Sequence, residues 1–178
     1  MIRKNTKPAW NNVVHQKDTK TGATSELWFE EWLSDGFIDR DWTCIDGFNW
    51  KRLDYDSVYE KGKCNIFLEL KSRNIDINSF KTTMIGESKL KAARKKLDKG
   101  AQVYFFFLFL GQNGTKKDLY FYDVSRSHKK LEKYCRINTG GTNKRGVNEY
   151  KNHLYIPVRF LESVKKYKNM EEYLDKKT

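Results

Sequence analysis

Residues Asn65 to Asn74 read NIFLELKSRN. Ile66, Phe67, Leu68 and Leu70 have the apolar character of a buried β-strand, yet Glu69 and Lys71 sit among them. Side chains alternate across a strand, so the two charges share one face. An ionised pair on a half-buried strand loses solvation that its surroundings must replace. The fold therefore has to put something beside this strand that can hold a carboxylate and an ammonium together.

Working outward, Tyr55-Asp56-Ser57-Val58-Tyr59 reads as a strand, Glu60 to Lys63 as a turn, and Cys64 to Lys71 as the returning strand, within β structure spanning Asp46 to Lys71. Upstream, Thr24 or Ser25 caps a helix running to about Leu33, which Asp35-Gly36 stops. Trp28 with Trp32, and Phe29 with Leu33, stack at i,i+4 into an apolar face that Glu26 borders. Downstream, the polar segment SRNIDINSFKTT (residues 72–83) reads as a loop leading to a helix from about Gly86 to Lys99. Leu90, Ala93 and Leu97 form its inward stripe, Lys89, Lys91, Arg94, Lys95 and Lys96 its other face, and Gly100 its C-cap.

The uninterrupted apolar run from Gln102 to Leu110 suits a central strand covered on both faces. Gly111 to Gly114 turns into a strand at Asp118 to Val124. Then follow a short helix at Ser127 to Tyr134, a polar loop at Asn138 to Asn152, a strand at His153 to Val158 and a last helix at Leu161 to Leu174. This order predicts an α/β fold with a mixed central sheet flanked by helices. Residues 1–20 read as a loose basic arm and residues 21–178 as one domain.

Composition narrows the function classes. Aromatic residues make up 15% of the 178 residues, which argues against a disordered chain. The run Tyr104 to Leu110 is too short to span a bilayer as a helix, and MIRKNTKPAWNN lacks the apolar core of a signal peptide, so a cytoplasmic protein with no membrane partner is expected. Cys44, Cys64 and Cys135 are odd in number and far apart, which fits reduced structural thiols better than disulfides or zinc; His15, His128 and His153 read as solvent-exposed or loop residues. The net charge of +12 is concentrated, with seven Lys/Arg against two acids in Lys81 to Gly100 and eight against two in Arg126 to Lys151. Such stripes point to a polyanion, nucleic acid first.

Asp56 opens one strand of the hairpin and Glu69 lies near the end of the other, so both carboxylates reach the same end of the sheet. Two converging carboxylates repel, and a divalent cation compensates them. Lys71, on the face of Glu69, can then meet an attacking water or a phosphate. Asp54 shares a strand face with Asp56, and Glu30 lies one turn beyond Glu26, so each competes for its neighbour's place. Without a cation, Glu69 and Lys71 read as a surface ion pair, and Glu26 as an acid favoured by the helix dipole.

The pattern Asp56, twelve residues, Glu69-Leu70-Lys71 resembles the signature of the PD-(D/E)XK nuclease superfamily. With Glu26 on the first helix and Ser72-Arg73 after the lysine, it looks most like the archaeal-type Holliday junction resolvases. The resemblance implies a restriction-endonuclease-like αβββαβ core over about residues 21–124, with extra β and α elements at about 125–178. It implies that Asp56, Glu69 and the Leu70 carbonyl ligate Mg²⁺, with Mn²⁺ as a substitute. Glu26 would assist through the metal or its water, and Lys71 would orient the nucleophile. The implied activity is Mg-dependent endodeoxyribonuclease, with branched DNA as a substrate and a homodimer as the assembly that cuts two strands symmetrically. A phage or mobile-element origin would place it in the host cytoplasm. Arg73, Lys89, Lys91, Arg94 and Lys95, with Lys144 and Arg145 in the later loop, are the expected nucleic-acid contacts. The chain departs from the family pattern at Tyr55, where proline often stands, at Asn65, and around Glu87 to Lys89, where a glutamine is common. The competing reading is a non-catalytic nucleic-acid-binding module with the same fold.

Overall fold

A computed structural model describes residues 23–46, 55–131, 135–142 and 148–177. The arm expected at residues 1–20 lies outside these, as do Asp54, Lys144 and Arg145.

The hairpin forms where it was expected. β2 (Ser57–Lys61) and β3 (Cys64–Arg73) pair antiparallel from Lys61 opposite Cys64 to Ser57 opposite Leu68. Only Gly62 and Lys63 separate them, and Gly62 takes a left-handed φ of 60° that a two-residue turn favours in glycine. β1 (Thr43–Asp46) adds antiparallel to β2. On the other side, β3 pairs in parallel with β5 (Gln102–Phe109). A parallel neighbour needs a crossover, and α2 (Glu87–Leu97) supplies it. β6 (Asp118–Asp123) and the short β9 (Glu162–Ser163) complete the mixed sheet in the order β1-β2-β3-β5-β6-β9.

Alternation along β3 and β5 divides the core in two. Ile66, Leu68 and Leu70, with Tyr104, Phe106 and Leu108, face a cluster that includes Phe29 and Leu33 from the first helix and Tyr173 from the last. That first helix, α1, is described from residue 23 to 32 and continues into a π-helical turn, Leu33–Phe37, where Gly36 at φ 118° marks the expected stop. Phe29 meets Phe106 at 4.9 Å between ring centroids. Val103, Phe105, Phe107 and Phe109 face the opposite cluster, beneath Leu90 and Ala93 of α2. Counting only the strands of this sheet and the helices that flank it, the order α1-β1-β2-β3-α2-β5 is the αβββαβ order that the resemblance implied, and the architecture is a mixed sheet flanked by helices.

Three expectations are corrected. The segment read as a loop before α2 contains β4 (Thr82–Gly86), in which Thr83 and Ile85 are buried while Met84 is exposed. Ile85 lies opposite Leu154 on β8 (Asn148–Pro157), so this short strand exists to close the cluster below α2. The polar stretch after α3 (Val124–Leu131) is largely a hairpin of β7 (Cys135–Thr142) and β8. With β4 these make a second sheet, β4-β8-β7. The continuous helix expected from Leu161 is instead edge strand and a 3₁₀ turn, and α4 begins only at Met170 and runs to Lys177. Asn169 sets that start: its Oδ1 accepts a hydrogen bond from Glu172 N at 2.9 Å, as an N-cap should. No described helix is long and apolar enough to cross a membrane.

Phe106 is fully buried and touches the rings of Phe29, Trp32, Phe37 and Phe121. Phe106→Ala is expected to cost about 3–5 kcal/mol of stability, read as a lower urea midpoint at unchanged m-value.

Candidate active site

β3 is longer than β2, and the site occupies the length that β2 leaves uncovered. The last backbone bond between them runs from Asp56 N to Leu68 O at 3.0 Å. Beyond it the Asp56 side chain takes over, its Oδ2 accepting from Leu70 N at 2.6 Å. The carboxylate thereby satisfies a strand N–H that no neighbouring backbone reaches on that side.

Glu69 is 0% exposed. Lys71 Nζ lies 2.6 Å from Oε1, and Lys89 Nζ, from α2, 2.7 Å from Oε2. Neither ammonium is aligned as a hydrogen bond, so both oxygens are buried without a hydrogen-bond partner. Coulomb attraction from two cations holds this carboxylate, an arrangement that tolerates its burial without completing its coordination.

Asp56 and Glu26 belong to the same electrostatic unit. Burial pushes the Asp56 carboxyl up to about 6, with the charge of Glu69 adding to the rise. Lys71, the Leu70 N–H and Lys89 oppose it. Glu26, on α1, is also raised, first by burial and then by Glu69, with Lys71 pulling the other way. Glu30, its competitor in the sequence, instead acts on Tyr59. The structure thus places Asp56, Glu69, Lys71 and Lys89 in one electrostatic unit, with Glu26 within the field of Glu69 and Lys71.

Among the described residues no three His, Cys, Asp or Glu side chains converge on one point. A divalent cation would therefore rest on the Asp56 and Glu69 carboxylates, with the carbonyl of Leu70, the residue after Glu69, as a further oxygen donor. Hard oxygen donors of this number suit Mg²⁺, which accepts one or two carboxylates and keeps waters. The two Glu69 oxygens without hydrogen bonds and the crowded acids fit such an ion; one ammonium would have to yield an oxygen to it.

The basic residues divide by face. Lys89 and Lys96, seven positions apart on α2, both turn to β3: Lys89 to Glu69, and Lys96 over the Phe67 ring at 4.4 Å. Lys91 and Lys95 are exposed, Lys91 pairing with Glu87 at 3.4 Å, and Arg94 is half-buried. The Arg73 guanidinium donates to Ser72 O at 3.0 Å and to Met84 O, tying the end of β3 to β4, and burial lowers its pKa. Sequence reasoning placed Lys89 among substrate contacts and missed its ion pair with Glu69. The available signal was its position four residues before the inward Ala93.

No family model and no curated protein matches this chain. Among solved structures, Hjc from Archaeoglobus fulgidus, a Holliday junction resolvase from an archaeal hyperthermophile, is similar over 63% of this chain and 72% of its own, with a TM-score of 0.34 and 14% identity.

The raised Asp56 pKa has a consequence for stability without metal. Between about pH 4 and pH 6 the folded protein holds a proton that the unfolded chain has released, so stability falls as pH rises through that window. The full loss is about 3 kcal/mol for a carboxyl moved from 3.8 to about 6. Asp56→Asn, which can still accept from Leu70 N, should therefore unfold at higher denaturant than the parent protein at neutral pH in EDTA. The margin should vanish by about pH 4 in pH-dependent urea titrations.

Proposed function

We propose that this protein is a metal-dependent nuclease that hydrolyses DNA phosphodiester bonds at the Asp56–Glu69–Lys71 site. The observation that carries the reading is the Glu69 carboxylate, fully buried between two ammonium groups with neither oxygen hydrogen-bonded. A structural ion pair on a sheet surface would be exposed; here one partner has been taken out of water altogether.

Asp56 and Glu69 would hold Mg²⁺, with Mn²⁺ as a substitute. When bound, the ion supplies a water of lowered pKa and charge stabilisation on the phosphate. Lys71, anchored at Glu69 but 34% exposed, has its ammonium where it can meet both solvent and an incoming phosphate. It orients the attacking water and offsets negative charge on the phosphate oxygens. Glu26, held above the ordinary carboxylate range, is suited to take a proton from that water. Water oxygen adds to phosphorus, the bridging oxygen leaves, and a proton passes to the leaving oxygen. Lys89 keeps the second Glu69 oxygen compensated and so positions the carboxylate.

The exposed Lys91 and Lys95 and the concentrated basic charge favour a DNA backbone as the substrate. A Holliday-junction or other branched substrate is the most specific form of the proposal, and it carries with it a homodimer presenting two such sites. The second reading, a binding module without catalysis, rests on the same basic surface.

Labelled four-way junction, linear duplex and single strand, each in Mg²⁺ and in EDTA, separate the two. The nuclease reading expects Mg²⁺-dependent cutting that Glu69→Ala and Lys71→Ala each slow by about 10²-fold or more. Binding of all three substrates with no cutting of any would leave the binding module standing.

A further inference from the structure

A second concavity, lined by none of Glu26, Asp56, Glu69 and Lys71, is used by nothing described so far. It has a volume of about 550 Å³ and opens at the carboxyl ends of the parallel strands β3 and β5, where α/β sheets commonly bind ligands. Ser25 and Trp28 of α1, with Leu108 and Leu110 at the end of β5, form its indole and aliphatic wall. The exposed Asn74, Gln112 and Asn113 line it with side-chain amides, each carrying both donors and an acceptor. Lys117 places its ammonium 4.9 Å from the Trp28 ring centre.

The frame of this pocket is tied down by backbone bonds. Leu110 N donates to Arg73 O at 2.8 Å, and Gly111 N to Ile75 O at 3.2 Å, so Asn74 is held between two anchored residues. Lys116 N closes the turn onto Leu110 O at 3.0 Å, and Lys116 Nζ pairs with Asp76 at 2.7 Å. The pocket is joined to the site through the chain, by α1 and by the end of β3. Ser25 lines it while its chain neighbour Glu26 lies in the field of Glu69 and Lys71. Asn74 follows Lys71 by three residues, at most about 11 Å along the chain.

A flat aromatic wall, amides able to meet a heterocycle's edge and an exposed lysine whose ammonium covers the ring until a base displaces it are the complement of a nucleotide. The ring of a stacked, paired base could not enter; only a base outside the helix could. Resting on the nuclease reading for its location, we propose that this pocket takes an unpaired nucleobase from the strand whose phosphate lies at Asp56 and Glu69. The base stacks on Trp28 and is held by the Asn74, Gln112 and Asn113 amides, so the substrate is DNA carrying an unpaired nucleotide beside the cut.

The test is fluorescence anisotropy in EDTA, where nothing is cut, with three labelled duplexes: fully paired, with one unpaired thymidine, and with an unpaired abasic residue in its place. The full chain should bind the unpaired thymidine roughly tenfold more tightly than the abasic residue, the size expected for one stacked base. Trp28→Leu and the exposed-turn double variant Gln112→Ala/Asn113→Ala should lose that preference, the latter with an unchanged melting temperature. Glu69→Ala should keep it. Equal binding of the thymidine and abasic duplexes by the parent protein, or a preference that survives in both pocket variants, would overturn the proposal even if Mg²⁺-dependent cutting is found. Loss of the preference in those variants upholds the base pocket even if no substrate is cut, in which case only the nuclease reading falls.

Discussion

The Glu69 carboxylate, placed in the middle of a hydrophobic strand and cut off from water, is the constraint around which the rest is arranged. Removing a charge from solvent costs several kcal/mol unless opposite charge is brought to it. Two elements do so from different directions, β3 itself through Lys71 and the crossover helix through Lys89. Crowding Asp56 and Glu26 into the same field then raises both carboxyls, since each further negative charge finds less water and more repulsion. Charge that is expensive to bury persists where a ligand can relieve it, and this cluster is the place in the described structure where burial and like charge coincide.

The helix that covers the site has two tasks at once. Leu90 and Ala93 seal one core cluster, while Lys89 and Lys96 flank that stripe and reach the charged and aromatic residues of β3. Long lysine stems make this compatible, because the methylenes pack while the ammonium seeks the carboxylate or ring face. Of the other cations of the helix, Lys95 is exposed to solvent and Lys91, also exposed, pairs with Glu87. Packing and electrostatics are therefore not separable here: a helix displaced to suit one would fail the other.

Much of this could be read from the chain. The shared face of Glu69 and Lys71, the hairpin to Asp56, the covered central strand and the inward stripe of α2 all follow from periods of 2 and 3.6 over strongly apolar segments. The grouping of Glu26 with them came with the family resemblance, and in the structure Glu26 feels the charges of Glu69 and Lys71. What escaped were elements whose stability is borrowed from distant partners. β4 has only Thr83 and Ile85 to bury, and its partner Leu154 is far along the chain, so local composition reads as loop. β7 and β8 are polar and glycine-containing, and the capping role of Asn169 was hidden inside an apparently continuous helical pattern. Lys89 escaped for another reason: a lysine beside an inward stripe looks solvated until the buried acid opposite it is known.

The tight turn at Gly62 and Lys63 looks remote from all of this, yet it sets the parity of β3. With only two residues in the turn, the pairing of Lys61 with Cys64 dictates which side chains of the returning strand go up and which go down. A shift of one position would turn Glu69 and Lys71 into the cluster of Phe29 and Phe106, and would put Leu68 and Leu70 beneath the lysines of α2. A one-residue slip in this pairing therefore exchanges the charged face for the apolar one. The arithmetic of the pleat is what the turn must respect.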